Sequence, residues 1–364
     1  MHRYGMRSVR FFGIPLLLAG VAGLAGVAGV DPAAASAAWS GSGSARPVSS
    51  FSTAGVLSGV AATSARNAWA VGTVGNKTLI VHWNGRTWKR VPSPAPAGGG
   101  FLAAVAATSA RNAWAVGQAS RGGKTLILRW NGTSWKRVPS PTPAHGGFLS
   151  AVAASAGGAW AVGTAFTGGT AAGLIERWNG TAWKLVSSPP TEGFSGVAAT
   201  SARNAWAVGF GAGTVILHWN GRAWRRIPSP TPGGSAVLLA VAASAGRAWA
   251  VGGTGGGPGT LTLRWTGTAW RRVPSPTPAG GAALDGVAVF SRGAWAVSDT
   301  SRFRTLIERW NGRVWRRVAS PTPAGGAVLL AVAAAGGRAW AVGHTGITGS
   351  ARTLILSWNG TVWK

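Results

Sequence analysis

The chain has 364 residues, with 22 Trp, 58 Gly and no Cys, and its 35 Lys and Arg outnumber six Asp and Glu to give a formal charge of +29. With 46% of residues hydrophobic and only 11% charged, it holds ample apolar material for a core, which excludes simple disorder. The missing Cys excludes disulfides, thiolate metal sites and a cysteine nucleophile, and two-carboxylate catalysis has only Asp31, Glu176, Glu192, Asp285, Asp299 and Glu308 to draw on.

Arg3, Arg7 and Arg10 precede an apolar run from Phe11 to Val30 and a small-residue stretch from Ala33 to Ala38. A positive start, an apolar middle and the ending Ala35-Ser36-Ala37 predict a secretory signal over residues 1–37. The expected product is extracellular, in or near the cell wall, with no membrane association after cleavage. A retained anchor is the alternative, since about 20 apolar residues span a bilayer; the frequent Gly and the small-residue ending favour cleavage. Residues 38–50 then form an N-terminal segment that contains Trp39.

From residue 51 to 364 one unit recurs seven times, about every 45 residues, with the pattern L-x-x-V-A-x…W-A-V…W-N-G-x-x-W. Its first Trp is Trp69, Trp114, Trp160, Trp206, Trp249, Trp295 and Trp340. Its second is Trp83, Trp130, Trp178, Trp219, Trp265, Trp310 and Trp358, and its third is Trp88, Trp135, Trp183, Trp224, Trp270, Trp315 and Trp363. Four short strands are predicted per unit, in the first copy near Leu57–Thr63, Ala68–Gly72, Thr78–Trp83 and Thr87–Val91. Asn84-Gly85 supplies the left-handed residues of a tight hairpin between the third and fourth. Four-stranded antiparallel units of this length are propeller blades, so an all-β, seven-bladed β-propeller is expected.

The last unit stops at Val362-Trp363-Lys364, where other units continue into a V-P-S-P-like tail, and Arg46-Pro47-Val48-Ser49 resembles that tail. The segment 38–50 is therefore expected to carry a strand that closes the ring; a chain that simply stops short is the alternative.

The hairpin tail Gly132-Thr133-Ser134-Trp135 resembles the Asp-box repeat of sialidase-like propellers, although Arg129-Trp130-Asn131 stands where that repeat has its Ser and Asp. The order of the motifs is similar to tectonin-type propellers, a lectin-like family associated with bacterial surface glycans. It also resembles the Trp-rich repeat propellers of exported actinobacterial proteins. The resemblance implies the propeller fold and no specific function.

Twenty-one Trp could stack sugars or bases, but fixed positions in every copy point to cores between blades and to cross-strand pairs. The basic residues are periodic as well. Lys89-Arg90, Lys136-Arg137, Lys184, Arg225-Arg226, Arg271-Arg272, Arg316-Arg317 and Lys364 fall on the outermost strand, where charge blocks edge pairing. Arg66, Arg111, Arg203, Arg247, Arg292 and Arg338 lie in the turns between first and second strands, and Arg86, Arg222 and Arg313 follow Asn-Gly in the hairpins. Alternate turns of an up-and-down blade emerge on one side, so these nine arginines are expected on one face. There they would attract an anionic polysaccharide or cell-wall polymer rather than a specific nucleic acid. Arg-rich codon usage is the alternative explanation.

Length variation is confined to the loops between second and third strands, the third copy's Thr164–Gly173 being among the longest, which offers a protein partner a second surface. Glu176 and Glu308, each followed by Arg, read as exposed cross-strand ion pairs, and His82 and His218 as polar surface substitutions. Asp285 and Asp299 could share a Ca²⁺ but are few for a hard cation. No catalytic, cofactor or metal site is expected, and the expected form is a monomeric, non-catalytic binding module. A protein-interaction scaffold and an inactive or unrecognised sialidase-like enzyme are the alternatives.

Overall fold

The computed structural model describes residues 51–119, 123–255, 257, 259–291, 293–346 and 351–364. In the first copy, Val56–Ser64, Asn67–Val74, Lys77–Trp83 and Trp88–Arg90 pair antiparallel in chain order. The short apolar runs form strands because every second side chain meets one neighbouring blade and its alternates meet the other. Six such four-stranded sheets recur. The seventh has three strands, Ala327–Ala335, Arg338–Thr345 and Arg352–Trp358, because its outer strand is reduced to a Trp358–Trp363 bridge and two backbone bonds between Ser357 and Lys364. The fold is a seven-bladed β-propeller, and among the described residues there is no helix.

The V-P-S-P tail has a defined task. In the first blade the Val91 N–H donates to the Ile80 carbonyl, after which proline needs no donor on an outer edge. Thr78 Oγ1 lies 2.7 Å from Ser93 Oγ, and the same pairing ties Thr125 to Ser140 and Thr305 to Ser320. In the last blade the equivalent Thr353 is held instead by the residues that lead into the first strand. Its N–H donates to the Thr53 carbonyl at 2.9 Å, the Thr53 N–H donates to Thr353 Oγ1 at 3.0 Å, and the Gly55 N–H donates to the Ala351 carbonyl at 2.7 Å. The expected closing segment Arg46–Ser49 lies outside the described residues; the chain just after it reaches the last blade.

Cores sit between blades. Blades one and two enclose Trp69, Val71, Ile80, Leu102, Leu126, Leu128 and Trp135, and blades seven and one enclose Trp340, Val342, Leu57, Leu79, Trp83 and Trp88. Each join has the same aromatic triad: the first Trp of one blade lies against the second and third Trp of the next. Trp160 is 4.9 Å from Trp219 and 5.0 Å from Trp224, and Trp295 is 5.0 Å from Trp358 and 5.1 Å from Trp363. All 21 repeat tryptophans are buried except Trp130, Trp178 and Trp265, which are half-buried. The expected long loop of the third copy is mostly a hairpin arm, with Thr164, Ala165 and Phe166 pairing Gly173, Ala172 and Ala171. Thr164 and Ala165 also pair Phe148 and Gly147 of the blade's first strand, so the arm is part of the sheet.

Candidate binding face

Turn length divides the blades into two kinds. Blades one, two and four carry the turn Thr-Ser-Ala-Arg-Asn, whose extra residue produces a register shift at Ala62/Ser64, Ala107/Ser109 and Ala199/Ser201. The turn is stitched internally: Asn67 Nδ2 donates to Thr63 Oγ1 at 2.7 Å, and the Arg66 N–H donates to Ser64 Oγ at 3.2 Å. Its Ala carbonyl accepts the indole N–H of the second Trp, Trp83 to Ala65, Trp130 to Ala110 and Trp219 to Ala202. The turns of blades three, five, six and seven are one residue shorter and lack that shift beside the turn.

The hairpin between third and fourth strands lies beside this turn. Gly85 adopts φ +96°, and a Cβ added to it would come within 3.1 Å of the Arg66 side chain; Gly221 sits likewise under Arg203. Both kinds of turn therefore share one face. Arg66, Arg86, Arg111, Arg203, Arg222, Arg247 and Arg313 are exposed there, Arg338 is half-buried, and Arg292 lies outside the described residues. The twelve basic residues of the outer strands are exposed at the perimeter.

No described carboxylate occupies the turn face. Glu192 and Asp285 precede first strands and Asp299 ends a second strand, all at the opposite end of their blades. Asp285 Oδ2 accepts the Ser298 hydroxyl at 2.6 Å, and among the described residues no three His, Asp or Glu gather as metal ligands.

Two expectations need correction. Glu176 and Glu308 are not exposed ion pairs but fully buried, and neither carboxylate has a hydrogen-bond partner. They occupy the third-strand position filled by Val81, Leu128, Leu217 and Leu263 elsewhere, on the sheet face that carries Trp178 and Trp183 or Trp310 and Trp315 and meets the preceding blade. Loss of hydration pushes each carboxyl up to about 8, with the Arg317 guanidinium opposing the rise at Glu308. His82 and His218 are not surface substitutions either. They stack on Trp69 and Trp206 at 4.1 and 4.3 Å and bond through Nε2 to Asn67 and Asn204 Oδ1, and burial holds their imidazoles below the usual range.

At the position of these histidines four other blades carry arginine, and each guanidinium is wedged between two tryptophans of adjoining blades. Arg129 lies 5.0 Å from Trp114 and 5.6 Å from Trp178, Arg177 5.1 Å from Trp160 and 5.3 Å from Trp219. Arg264 lies between Trp249 and Trp310, and Arg309 between Trp295 and Trp358 with Phe290 alongside. Aligned copies show this position as polar and suggest surface, because a lone Arg beside a Trp gives no sign of the second ring one blade further along.

Beneath the short turns of blades five to seven, two joins open into cavities. One, of about 300 Å³, is lined by Ser244, Arg247, Trp249 and Arg264 of blade five and by Phe290, Trp310 and Asn311 of blade six. The next, of about 570 Å³, is lined by Phe290, Trp295 and Arg309 of blade six and by Gly336, Arg338 and Trp358 of blade seven. Each thus joins a turn arginine to a tryptophan-wedged arginine. Such cavities fall within the size range of ligand sites and offer planar donors set in aromatic walls.

No family profile matches the chain, and no curated protein matches it in sequence. Solved propellers do match in structure. The WD40 propeller domain of Doa1 superposes with a TM-score of 0.59 at 11% identity, covering 86% of this chain and 96% of that one. YCF48 bound to a D1 peptide gives 0.57 at 14% identity, covering 84% and 96%. The Aleuria aurantia lectin in complex with Fucα1-6GlcNAc gives 0.51 at 12% identity, covering 75% and 98%. At these identities the likeness establishes the propeller fold alone.

Proposed function

We propose that this chain is an exported, non-catalytic binding module that engages an anionic cell-envelope polymer or glycan through its turn-arginine face. The observation that carries this reading is the sharing of one face by both sets of turn arginines with no described carboxylate among them. Such a face keeps an uncompensated positive field. The propeller neighbours whose partners are visible, a peptide for YCF48 and a fucosylated disaccharide for the Aleuria aurantia lectin, make binding a natural use of this scaffold. A non-catalytic role fits the carboxylates: Glu176 and Glu308 are buried singly in different joins. An array of cell-wall polymers and glycans probed at two salt concentrations tests the proposal. Binding confined to acidic polymers and weakened by salt is expected; absent or salt-insensitive binding overturns it.

A further inference from the structure

Resting on that anionic-ligand reading, we infer that the two cavities of blades five to seven form one two-compartment site for a carboxylated glycan, each compartment taking the acid group of one sugar unit. Phe290 lines both cavities, so they adjoin across a single ring. It stands where the other short-turn blades carry Ser155, Ser244 and Ala335, which makes the shared wall particular to this sector.

The chemistry of the lining selects the ligand. Tryptophan rings cover the faces of the Arg264 and Arg309 guanidinium groups, which leaves their N–H edges for acceptors. The Arg309 Nε–H is buried and has no partner. A planar fork of donors matches the two oxygens of a carboxylate. Phe290, half-buried at the boundary, offers an apolar face of the kind on which the C–H side of a pyranose ring rests. Arg247 and Arg338 stand at the two mouths, Arg247 held by a bond from its Nη1 to the Ser291 carbonyl at 3.1 Å. The long turn of blades one, two and four instead lays its Ala carbonyl on the second Trp of its own blade, over the corresponding join.

Isothermal titration of the full chain with galacturonate, digalacturonate, inorganic polyphosphate and a neutral disaccharide tests the site. Digalacturonate is expected to bind at least about tenfold more tightly than the monomer, since the second acid binds intramolecularly. Arg264→His and Arg309→His retain a stacked ring, as His82 and His218 do, but lose the fork. At pH 8 each is expected to weaken digalacturonate about tenfold while lowering the melting temperature only slightly, through the loss of one wedged cation, and Phe290→Ser to weaken it as well. Lys89→Gln and Lys136→Gln, exposed on the outer strands of blades one and two, should leave it within about twofold. Equal affinity for monomer and dimer, polyphosphate bound as tightly as digalacturonate, or equal losses in the distant variants would overturn the assignment. If the unaltered chain binds no acidic probe, the broader reading falls too; if it binds but ignores Arg264→His and Arg309→His, only the two-compartment site falls.

Discussion

The indole rings of Trp340 and Trp83 lie 6.3 Å apart where the last blade meets the first, against 4.8 to 5.0 Å for the same pair at the other joins, Trp206 to Trp265 being the shortest. Trp340 and Trp88 are likewise 6.5 Å apart. The difference coincides with one residue: Ser357 stands where the other blades put Arg or His against these rings. Ser357→Arg should restore the wedged cation and raise stability by about 0.5–2 kcal/mol, read as an upward shift in the thermal midpoint. An unchanged midpoint would show that the spacing follows from ring closure itself.

Glu176 and Glu308 should give the protein an inverted pH response. A carboxyl with a folded-state pKa above its unfolded value contributes stability that is complete below pH 4.5 and is lost as pH rises through about 8. Ionising either in place costs on the order of a few kcal/mol. Urea unfolding at pH 5 and pH 8 should show the loss, and Glu176→Leu with Glu308→Leu should remove most of it while raising stability at pH 8. A double variant as pH-dependent as the parent would sink this account.

Trp160 is 2% exposed and touches two tryptophans of the following blade. Trp160→Ala should therefore cost about 3–5 kcal/mol, since both the transfer energy and a cavity at the join are involved. Chemical denaturation measures it; a cost below about 1 kcal/mol would mean that the triads are ornamental to stability.

The outer strands test a different kind of role. Arg225, Arg226, Arg271 and Arg272 are exposed on the edges of blades four and five. Replacing all four with Thr should leave the melting temperature nearly unchanged and promote self-association, because uncharged edges pair. Sedimentation velocity at rising concentration reads the outcome, and a variant that stays monomeric would refute the protective role.

The blades were legible because Trp, Asn-Gly and V-P-S-P recur at fixed positions and each marks a strand end or a hairpin. Glu176 was misread as an exposed cross-strand ion pair because Arg177 follows it, whereas adjacent residues of a strand face opposite ways. Arg177 points to the next blade and Glu176 to the previous one. The alternating apolar column of Val81, Leu128, Leu217 and Leu263 was the available warning. The cavities were harder to foresee: they depend on one missing turn residue and on Phe290, and neither disturbs the repeat. The wedged arginines needed three-dimensional placement, since their second tryptophan lies one whole blade further along the chain.

The aromatic triads also separate the unit of duplication from the unit of packing. Each sequence repeat ends with two tryptophans that complete the preceding blade's core and begins with one that waits for the following blade's pair. A single repeat excised from the ring would carry two unfinished half-cores and no finished one. An added repeat, by contrast, would introduce one more join of the existing kind, with nothing new to invent but a slightly wider circle. Growth and loss by whole repeats are thus chemically cheap for this architecture once the circle is closed, and isolation of one repeat is not.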